Sequence, residues 1–163
     1  MKKFWQLGSR YLAFLVLLTL PMTGLIYSNP ISGTTKYFSM FRMIFGYKDY
    51  EIKFNIILFL IFLIILLTGF IDLLFKDKVK AYITKMFVYA FDIIMIIFSK
   101  FYFLALNKDY IYKSIDDANK SGYALLIISI ILAIASYFSY MSFIYEYEDI
   151  KNIKNNKHKQ TQE

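Results

Sequence analysis

One aspartate inside a long apolar block is the side chain of this sequence most capable of chemistry. Asp92 lies about six residues into the block 86–106, with Tyr89 three residues before it and Ser99 seven residues after it. On a helix these three side chains share nearly one face. If that helix crosses a bilayer, a charge at this depth costs about 2.5–3.5 kcal/mol, so Asp92 should face protein or water, or carry a proton. The pattern predicts a proton or cation site, or a polar residue that only joins helices.

A second aspartate, Asp72, stands near the end of the preceding apolar block, 54–75. Lys76 follows it by four residues, in the order that favours an ion pair along a helix. The spacing predicts an interfacial pair with no chemistry of its own. Because a short lysine-rich segment joins the two blocks, Asp72 and Asp92 belong to the same half of one helical hairpin. If the two carboxylates face each other, one of them stays protonated.

The residue sets of known catalytic and metal sites are missing from the sequence. There is no cysteine, and the only histidine, His158, lies in a lysine-rich tail. Thiolate catalysis, thiolate zinc sites and iron–sulfur clusters are therefore excluded. No metalloprotease helix motif, phosphate-binding glycine loop or nucleophile elbow occurs either. We expect a protein that is not an enzyme and that has no catalytic, cofactor-binding or metal-binding residues.

The elements that position these residues are four apolar blocks, at about 11–27, 54–75, 86–106 and 123–144. A helix needs roughly 20 apolar residues to cross a bilayer, whereas strands average only about 5–6 residues. Hydrophobic residues make up 58% of the chain, so long blocks of this kind dominate it. The blocks predict an all-α membrane protein with four transmembrane helices in a single domain, 1–145. The first block lacks the small-x-small cleavage site of a signal peptide, and we expect it to be retained.

Two segments outside the blocks have recognisable patterns. In the first outer loop, residues 36–47 carry polar or small side chains every three or four positions among aromatic ones. This spacing predicts a short amphipathic helix in the membrane interface, which either docks a partner or simply rests on lipid. The tail 146–163 is polar and rich in lysine, which predicts a disordered cytoplasmic segment.

Small residues recur along the fourth block. Gly122, Ser129, Ala133 and Ser136 are separated by seven, four and three positions, and Ala135, Ser139 and Ser142 extend the small-residue surface. Small side chains let membrane helices approach closely. The stripe predicts a helix-packing face, used either within the chain or for self-association.

The basic residues indicate the orientation of the chain. Eleven Lys and Arg flank the blocks on the side of both termini, against seven in the two opposite loops. The excess predicts cytoplasmic N- and C-termini and a multi-pass protein of the cell membrane. The net charge of +7 is explained by contact with anionic head groups rather than with nucleic acid. The richness in Ile, Lys, Asn, Phe and Tyr suggests an AT-rich bacterial genome.

Four compact helices with little chain outside the membrane resemble bacteriocin immunity proteins and accessory subunits of membrane complexes in architecture. The sequence therefore favours a protein without catalytic apparatus that acts by protein–protein contacts in the membrane, with another membrane protein or with itself. The alternative is a subunit of an oligomeric small-solute or ion transporter. In that case Asp92, Ser99 and Asp72 would form its intramembrane polar site.

Overall fold

The chain is mostly helical and carries one small β-sheet. The computed structural model describes residues 1–28, 33, 35–48, 52–107 and 119–160. Its helices are α1 (Lys2–Tyr11), a 3-10 helix (Leu12–Thr19), α2 (Met40–Phe45), α3 (Ile56–Thr68), α4 (Ile71–Leu74), α5 (Lys78–Ile97), α6 (Ser99–Leu106) and α7 (Tyr123–Gln160). Its strands are β1 (Thr23–Ser28), β2 (Thr35–Ser39) and β3 (Asn119–Ser121).

The first apolar block, 11–27, is not one helix. The 3-10 helix ends at Thr19, the chain turns over Leu20–Met22, and β1 follows. Pro21 lies in this turn, where it has no N–H to continue a helical ladder. The prediction of an all-α chain was therefore wrong at this point, because hydropathy alone does not distinguish an apolar strand that follows a helix from the end of that helix.

The sheet has the strand order β2-β1-β3, with β1 antiparallel to both neighbours. Its pairing with β3 joins the end of the first block to the start of α7. Gly122 follows β3 at once, and its N–H donates to the Gly24 carbonyl at 2.8 Å. A Cβ at Gly122 would collide with the backbone of Thr23, so this close approach requires glycine.

The interfacial helix predicted over 36–47 is only partly present. Residues up to Ser39 form β2, and α2 covers the six residues Met40–Phe45. The Ser39 side chain caps α2 by accepting from the Arg42 N–H. Pairing with β1 satisfies the backbone of the first half of the segment as a strand, which is why no helix forms there.

The second and third blocks fold as broken helices. The second is interrupted between α3 and α4 at Gly69–Phe70, and the third bends by 48° where α5 meets α6. Asn55 and Asp77 cap α3 and α5 by accepting from backbone N–H groups three residues on. Thus α5 begins eight residues before the block that predicted it.

The fourth block is one helix that continues far beyond its predicted end. Among the described residues, α7 is the single helix long and apolar enough to cross a membrane, and the bent pair α5–α6 makes a second if it is counted as one span. By length and composition alone, the core helix of a water-soluble protein also meets this criterion. The described chain is therefore mostly helical with one clear candidate span, rather than four.

The polar tail predicted to be disordered is helical through Gln160. Lys2 of α1 pairs with Glu146 at 3.2 Å and with Asp149 at 2.5 Å, which ties the start of the chain to this extension. The hydrogen bond to Asp149 raises the pKa of the Lys2 ammonium, in spite of its partial burial. Residues 161–163 of the predicted tail lie outside the described residues.

The core lies where α7 packs against α5, α1 and the 3-10 helix. Apolar side chains buried there come from every long element: Ala13, Val16, Ile65, Tyr89, Ile96, Ile128, Leu132 and Ala135. Charged and polar side chains are buried among them, and these define the candidate site.

Candidate functional site: a buried charge cluster and an isolated carboxylate

A cluster of three charged side chains joins α1, α4 and α5. The Asp72 carboxylate accepts from Arg10 Nε at 2.8 Å and Nη2 at 2.6 Å through Oδ2, and from Lys85 Nζ at 2.5 Å through Oδ1. Asp72 and Lys85 are fully buried, whereas a quarter of the Arg10 side chain (25%) remains exposed. Both carboxylate oxygens are occupied by cations, as a buried carboxylate requires.

The break between α3 and α4 supplies another ligand for the buried ammonium. Lys85 Nζ donates to the Gly69 carbonyl at 2.7 Å and lies 3.5 Å from the Ser9 carbonyl oxygen and hydroxyl. A Cβ at Gly69 would collide with the Arg10 carbonyl, so the break also lets α1 approach. Lys78 Nζ, two turns earlier on α5, donates to the Asp72 carbonyl. These contacts satisfy the polar groups that the helix break leaves free.

The predicted pair of Asp72 with Lys76 is wrong. Helix α4 contains only four residues and ends at Leu74, so no helical turn brings Lys76 back to Asp72. The Lys76 side chain is exposed. Asp72 instead contacts the cations Arg10 and Lys85 from two other helices.

Asp92 has no such partners. It is fully buried, and neither of its carboxylate oxygens has a hydrogen-bond partner within the described part of the chain. Asp92 does not share a proton with Asp72, because both Asp72 oxygens are bound by Arg10 and Lys85. Ser99, the other predicted site residue, is also fully buried with an unpartnered hydroxyl.

Four buried polar residues recur at helical spacing along α5 and the start of α6. Lys85, Tyr89, Asp92 and Ser99 are spaced by four, three and seven positions. The buried Ile96 separates Asp92 from Ser99, which are about 10 Å apart along the axis at 1.5 Å per residue. The two residues are therefore not brought together into one binding site.

The small residues of α7 are placed differently from one another. Gly122 is buried, Ser129 and Ser136 are half-buried, and Ala133 is exposed. The fully buried small side chains of α7 are those of Ala124, Ala135, Ser139 and Ser142. The Ser139 and Ser142 hydroxyls donate to carbonyls four residues earlier on their own helix, so they satisfy themselves. Thus the packing stripe within the chain follows the predicted extension at Ala135, Ser139 and Ser142, and not Ser129, Ala133 and Ser136.

Sequence reasoning missed Arg10 and Lys85, which it counted as basic residues flanking the apolar blocks. A signal for Lys85 was present: it lies seven residues before Asp92 and four before Tyr89, on the same helical face. No comparable signal marks Arg10, whose burial depends on how α1 packs against the break at Gly69.

Metal binding depends on whether several ligating side chains lie close together. Among the residues that the structure describes, no three His, Cys, Asp or Glu side chains lie close enough to hold a metal ion. An apolar groove of about 630 Å³ lies between β1, β3 and the first turns of α7, lined by Ile26, Tyr123, Leu126 and Ser129 among others, away from both aspartates.

Comparisons with protein-family models, with curated proteins and with solved structures return no match to this chain.

Proposed function

We propose that this chain is an integral membrane protein that works without catalysis, by contacts with another membrane protein or with a second copy of itself. The observation that carries the proposal is that apolar side chains lie on the outside of the long helices and charged side chains lie in the interior. Large apolar side chains cover the outside of the long helices, as with Leu60, Leu67, Phe87, Phe91, Leu126 and Ile130. Apolar exposure on this scale is rare on water-soluble monomers and normal for a surface in contact with lipid.

The interior supports the same proposal. No Asp, Glu, Lys, Arg or His occurs in α3 or in residues 123–144 of α7, so nothing charged interrupts the apolar outer surface there. Among the charges in the broken helices, Asp72, Lys85 and Asp92 are fully buried. Lys100, at the start of α6, is half-buried. Ionisable groups in membrane bundles face the protein interior because a charge in contact with lipid is energetically costly.

The lengths of the elements are compatible with four crossings. Helix α1 and the 3-10 helix together extend about 30 Å at about 1.5 and 2.0 Å per residue, close to the thickness of the hydrocarbon core. Helices α3 with α4, α5 with α6, and α7 provide the other three segments. In this proposal both termini are cytoplasmic. Because the chain has no cysteine, single cysteines at Lys3 and Gln160 can be labelled selectively, and labelling of either from outside the cell would contradict the topology.

The contact surface that we propose is the exposed side of α7 around Ala133. Half-buried Ser129 and Ser136 flank it, so a partner helix can approach the backbone closely. In lipid no hydrophobic force drives two helices together, so close packing of their side chains decides whether they associate. An accessory subunit or an immunity-type protein would use such a face.

Cross-linking tests this surface with a matched control. Ala133→Cys places a thiol on the exposed side of α7, and Ala135→Cys places one on the buried side two residues later. We expect disulfide or bis-maleimide cross-links to a partner or a second copy in native membranes from Ala133→Cys only. Equal cross-linking of both variants, or of neither, would contradict the proposed surface.

A second candidate function is supported by one specific observation, the unpartnered carboxylate of Asp92. A transporter subunit would use this group to bind a proton or cation, and one chain has few helices to surround a path, so the subunit would be oligomeric. Asp92→Asn keeps the size of the side chain and removes the titratable group. Normal abundance with loss of biological activity favours the transporter. Retained activity favours the binding protein.

A further inference from the structure

The charges that converge on Asp72 do not balance. Arg10 and Lys85 bind its carboxylate, and Lys78 Nζ donates to its backbone carbonyl. Three cations therefore surround one carboxylate, which leaves an excess of two positive charges. Because Asp72 and Lys85 are fully buried, water does not screen this excess as it does on an open surface.

None of the other acids in the described part of the chain binds these three cations. Asp92 and Glu148 form no ion pair among the described residues. The remaining three acids have lysines of their own: Asp77 lies 3.8 Å from Lys80, and Glu146 and Asp149 both pair with Lys2. The excess positive charge is therefore available to an external anion.

The cluster also keeps donors for such an anion. Arg10 uses Nε and Nη2 for Asp72, and its Nη1 has no hydrogen-bond partner within the described chain. Lys78 is half-buried and has only the Asp72 carbonyl as a partner among the described residues. Since both cations are bonded to one residue, they lie close enough together to contact the same phosphate group. Lys76, exposed in the turn before α5, adds a further cation at this end of the helices.

An apolar groove begins beside these donors, along the break between α3 and α4. Its volume of about 490 Å³ falls within the range of about 300–1,000 Å³ that is usual for ligand sites. The hydroxyl of Thr68, the one polar side chain in its lining, already donates to the Ile64 carbonyl at 2.7 Å. Such a groove favours a hydrocarbon chain. Its apolar walls include Ile64, Leu67, Phe70, Ile71, Leu74 and Val88.

The cations and the groove follow one another in the order of a lipid headgroup and its tail. Leu73 lines the groove and directly follows Asp72, whose carbonyl binds Lys78. From Leu74 back to Ile64 the groove extends about 15 Å, at about 1.5 Å per residue. This length is half of the hydrocarbon core of about 30 Å, and thus the depth of one leaflet.

We propose that this chain binds one anionic phospholipid at the break between α3 and α4. Its phosphate contacts Arg10 Nη1 and Lys78 Nζ, and one of its acyl chains lies in the groove. Basic pockets beside transmembrane helices on the cytoplasmic side recognise anionic headgroups by this chemistry. A zwitterionic phospholipid has the same tails but carries its own cation, so it does not neutralise the excess charge. The inference rests on the proposed membrane placement and is independent of the partner surface on α7.

Native mass spectrometry of the purified full-length protein in detergent measures the lipid preference, with phosphatidylglycerol and phosphatidylcholine of identical acyl chains as probes. We expect one phosphatidylglycerol to bind about tenfold more tightly, since a hydrogen bond to a charged group contributes enough free energy for such a factor. Lys78→Gln should abolish the preference. Lys151→Gln, which removes an exposed lysine of α7, should keep it. Equal binding of the two lipids, or equal effects of the two variants, would overturn the proposal and leave only diffuse attraction to basic residues.

A second lysine keeps the test decisive if Lys78→Gln does not fold, as judged by its helical circular dichroism. Lys76→Gln changes an exposed position and should lower the preference for phosphatidylglycerol by a smaller factor than Lys78→Gln. If Lys78→Gln is unfolded and Lys76→Gln binds phosphatidylglycerol as the unchanged protein does, the proposed headgroup site is wrong.

The groove and the source of the phosphate are tested separately. Val88→Trp places a large ring in the wall of the groove, and Ile94→Trp places one at an exposed position of the same helix outside it. We expect only Val88→Trp to weaken the binding of both lipids. Inorganic phosphate and glycerol phosphate lack a tail and should not displace phosphatidylglycerol at millimolar concentrations. Displacement by either anion, or no effect of Val88→Trp, would show a site for a soluble phosphate and overturn the lipid.

These outcomes are separable from the failure of the proposed function. Loss of the lipid preference with Ala133→Cys cross-links intact would overturn the lipid site and leave the binding protein. Loss of the cross-links with the lipid preference intact would do the reverse. Failure of the protein to insert into vesicles at all would contradict the membrane placement on which both depend.

Discussion

Two buried aspartates on the two sides of one helical hairpin have opposite surroundings. Asp72, on α4, is held by a guanidinium and an ammonium, both within 2.8 Å. Asp92, on α5, is equally buried and has no hydrogen-bond partner among the described residues. The sequence presents both as single acids in apolar blocks. Their different environments come from the breaks and packing of neighbouring helices.

The difference separates a structural role from a functional one. The Asp72 cluster joins three helices, and every acceptor of its carboxylate is engaged, so the carboxylate itself binds no ligand. Removing one member of such a cluster leaves an uncompensated buried charge. Asp92 joins nothing, and its retention in the interior is not explained by packing or hydrogen bonding. It is therefore the residue that the second candidate function, a transporter subunit, would use.

The largest effect is expected at the paired aspartate. Asp72→Asn leaves Lys85 and Arg10 without their counter-charge, and we expect it to lower the free energy of unfolding in mild detergent by about 3–5 kcal/mol. The exposed Asp77, which lies 3.8 Å from Lys80, serves as the control, and Asp77→Asn should change stability by less than about 1 kcal/mol. Similar losses of unfolding free energy for the two variants would show that the buried cluster stabilises the protein no more than an exposed ion pair does.

A smaller effect is expected when only the ammonium is removed. Lys85→Met keeps the ion pair of Asp72 with Arg10 and leaves the Gly69 carbonyl without its donor. An unsatisfied buried acceptor costs about 1–3 kcal/mol, so the loss should be clearly below that of Asp72→Asn. Chemical denaturation of both variants in the same detergent gives the comparison. A loss larger than that of Asp72→Asn would mean that Lys85, not Asp72, is the centre of the cluster.

The smallest effect is expected at the isolated aspartate. Asp92→Asn keeps the size of the side chain, and no hydrogen bond of the structure is lost. We expect the free energy of unfolding to change by less than about 1 kcal/mol. A loss near that of Asp72→Asn would reveal a partner for Asp92 and remove the contrast between the two acids.

Part of this site followed from spacing alone. Tyr89, Asp92 and Ser99 were predicted to share a face because helical periodicity is local, and all three side chains are buried. The partners of Asp72 could not be predicted, since Arg10 is 62 residues away in the chain and Lys85 reaches Asp72 only because α4 is short and broken off from α3.

The fold was predictable to a similar degree. The second to fourth apolar blocks are helical, apart from the breaks at Gly69–Phe70 and Phe98. The strand Thr23–Ser28 was not predicted, although Pro21 marked the end of the helix before it, because its pairing partners are 7 to 96 residues distant in the chain. The helical tail depends on continuity with α7 and on the contacts of Lys2, which no local pattern reveals.

The central claim is that lipid covers the apolar outside of the helices, and one labelling experiment tests it most directly. Ile130 and Tyr147 of α7 are exposed to similar extents, 50% and 56%, but only Ile130 lies in the apolar part of the helix. In cell membranes opened to give access from both sides, we expect Tyr147→Cys to react with a water-soluble maleimide and Ile130→Cys to react only after solubilisation in denaturant. Ile128→Cys, whose position is fully buried, controls for burial within the protein. Equal reaction of Ile130→Cys and Tyr147→Cys in the native protein would show that water covers both positions, and would contradict the membrane placement.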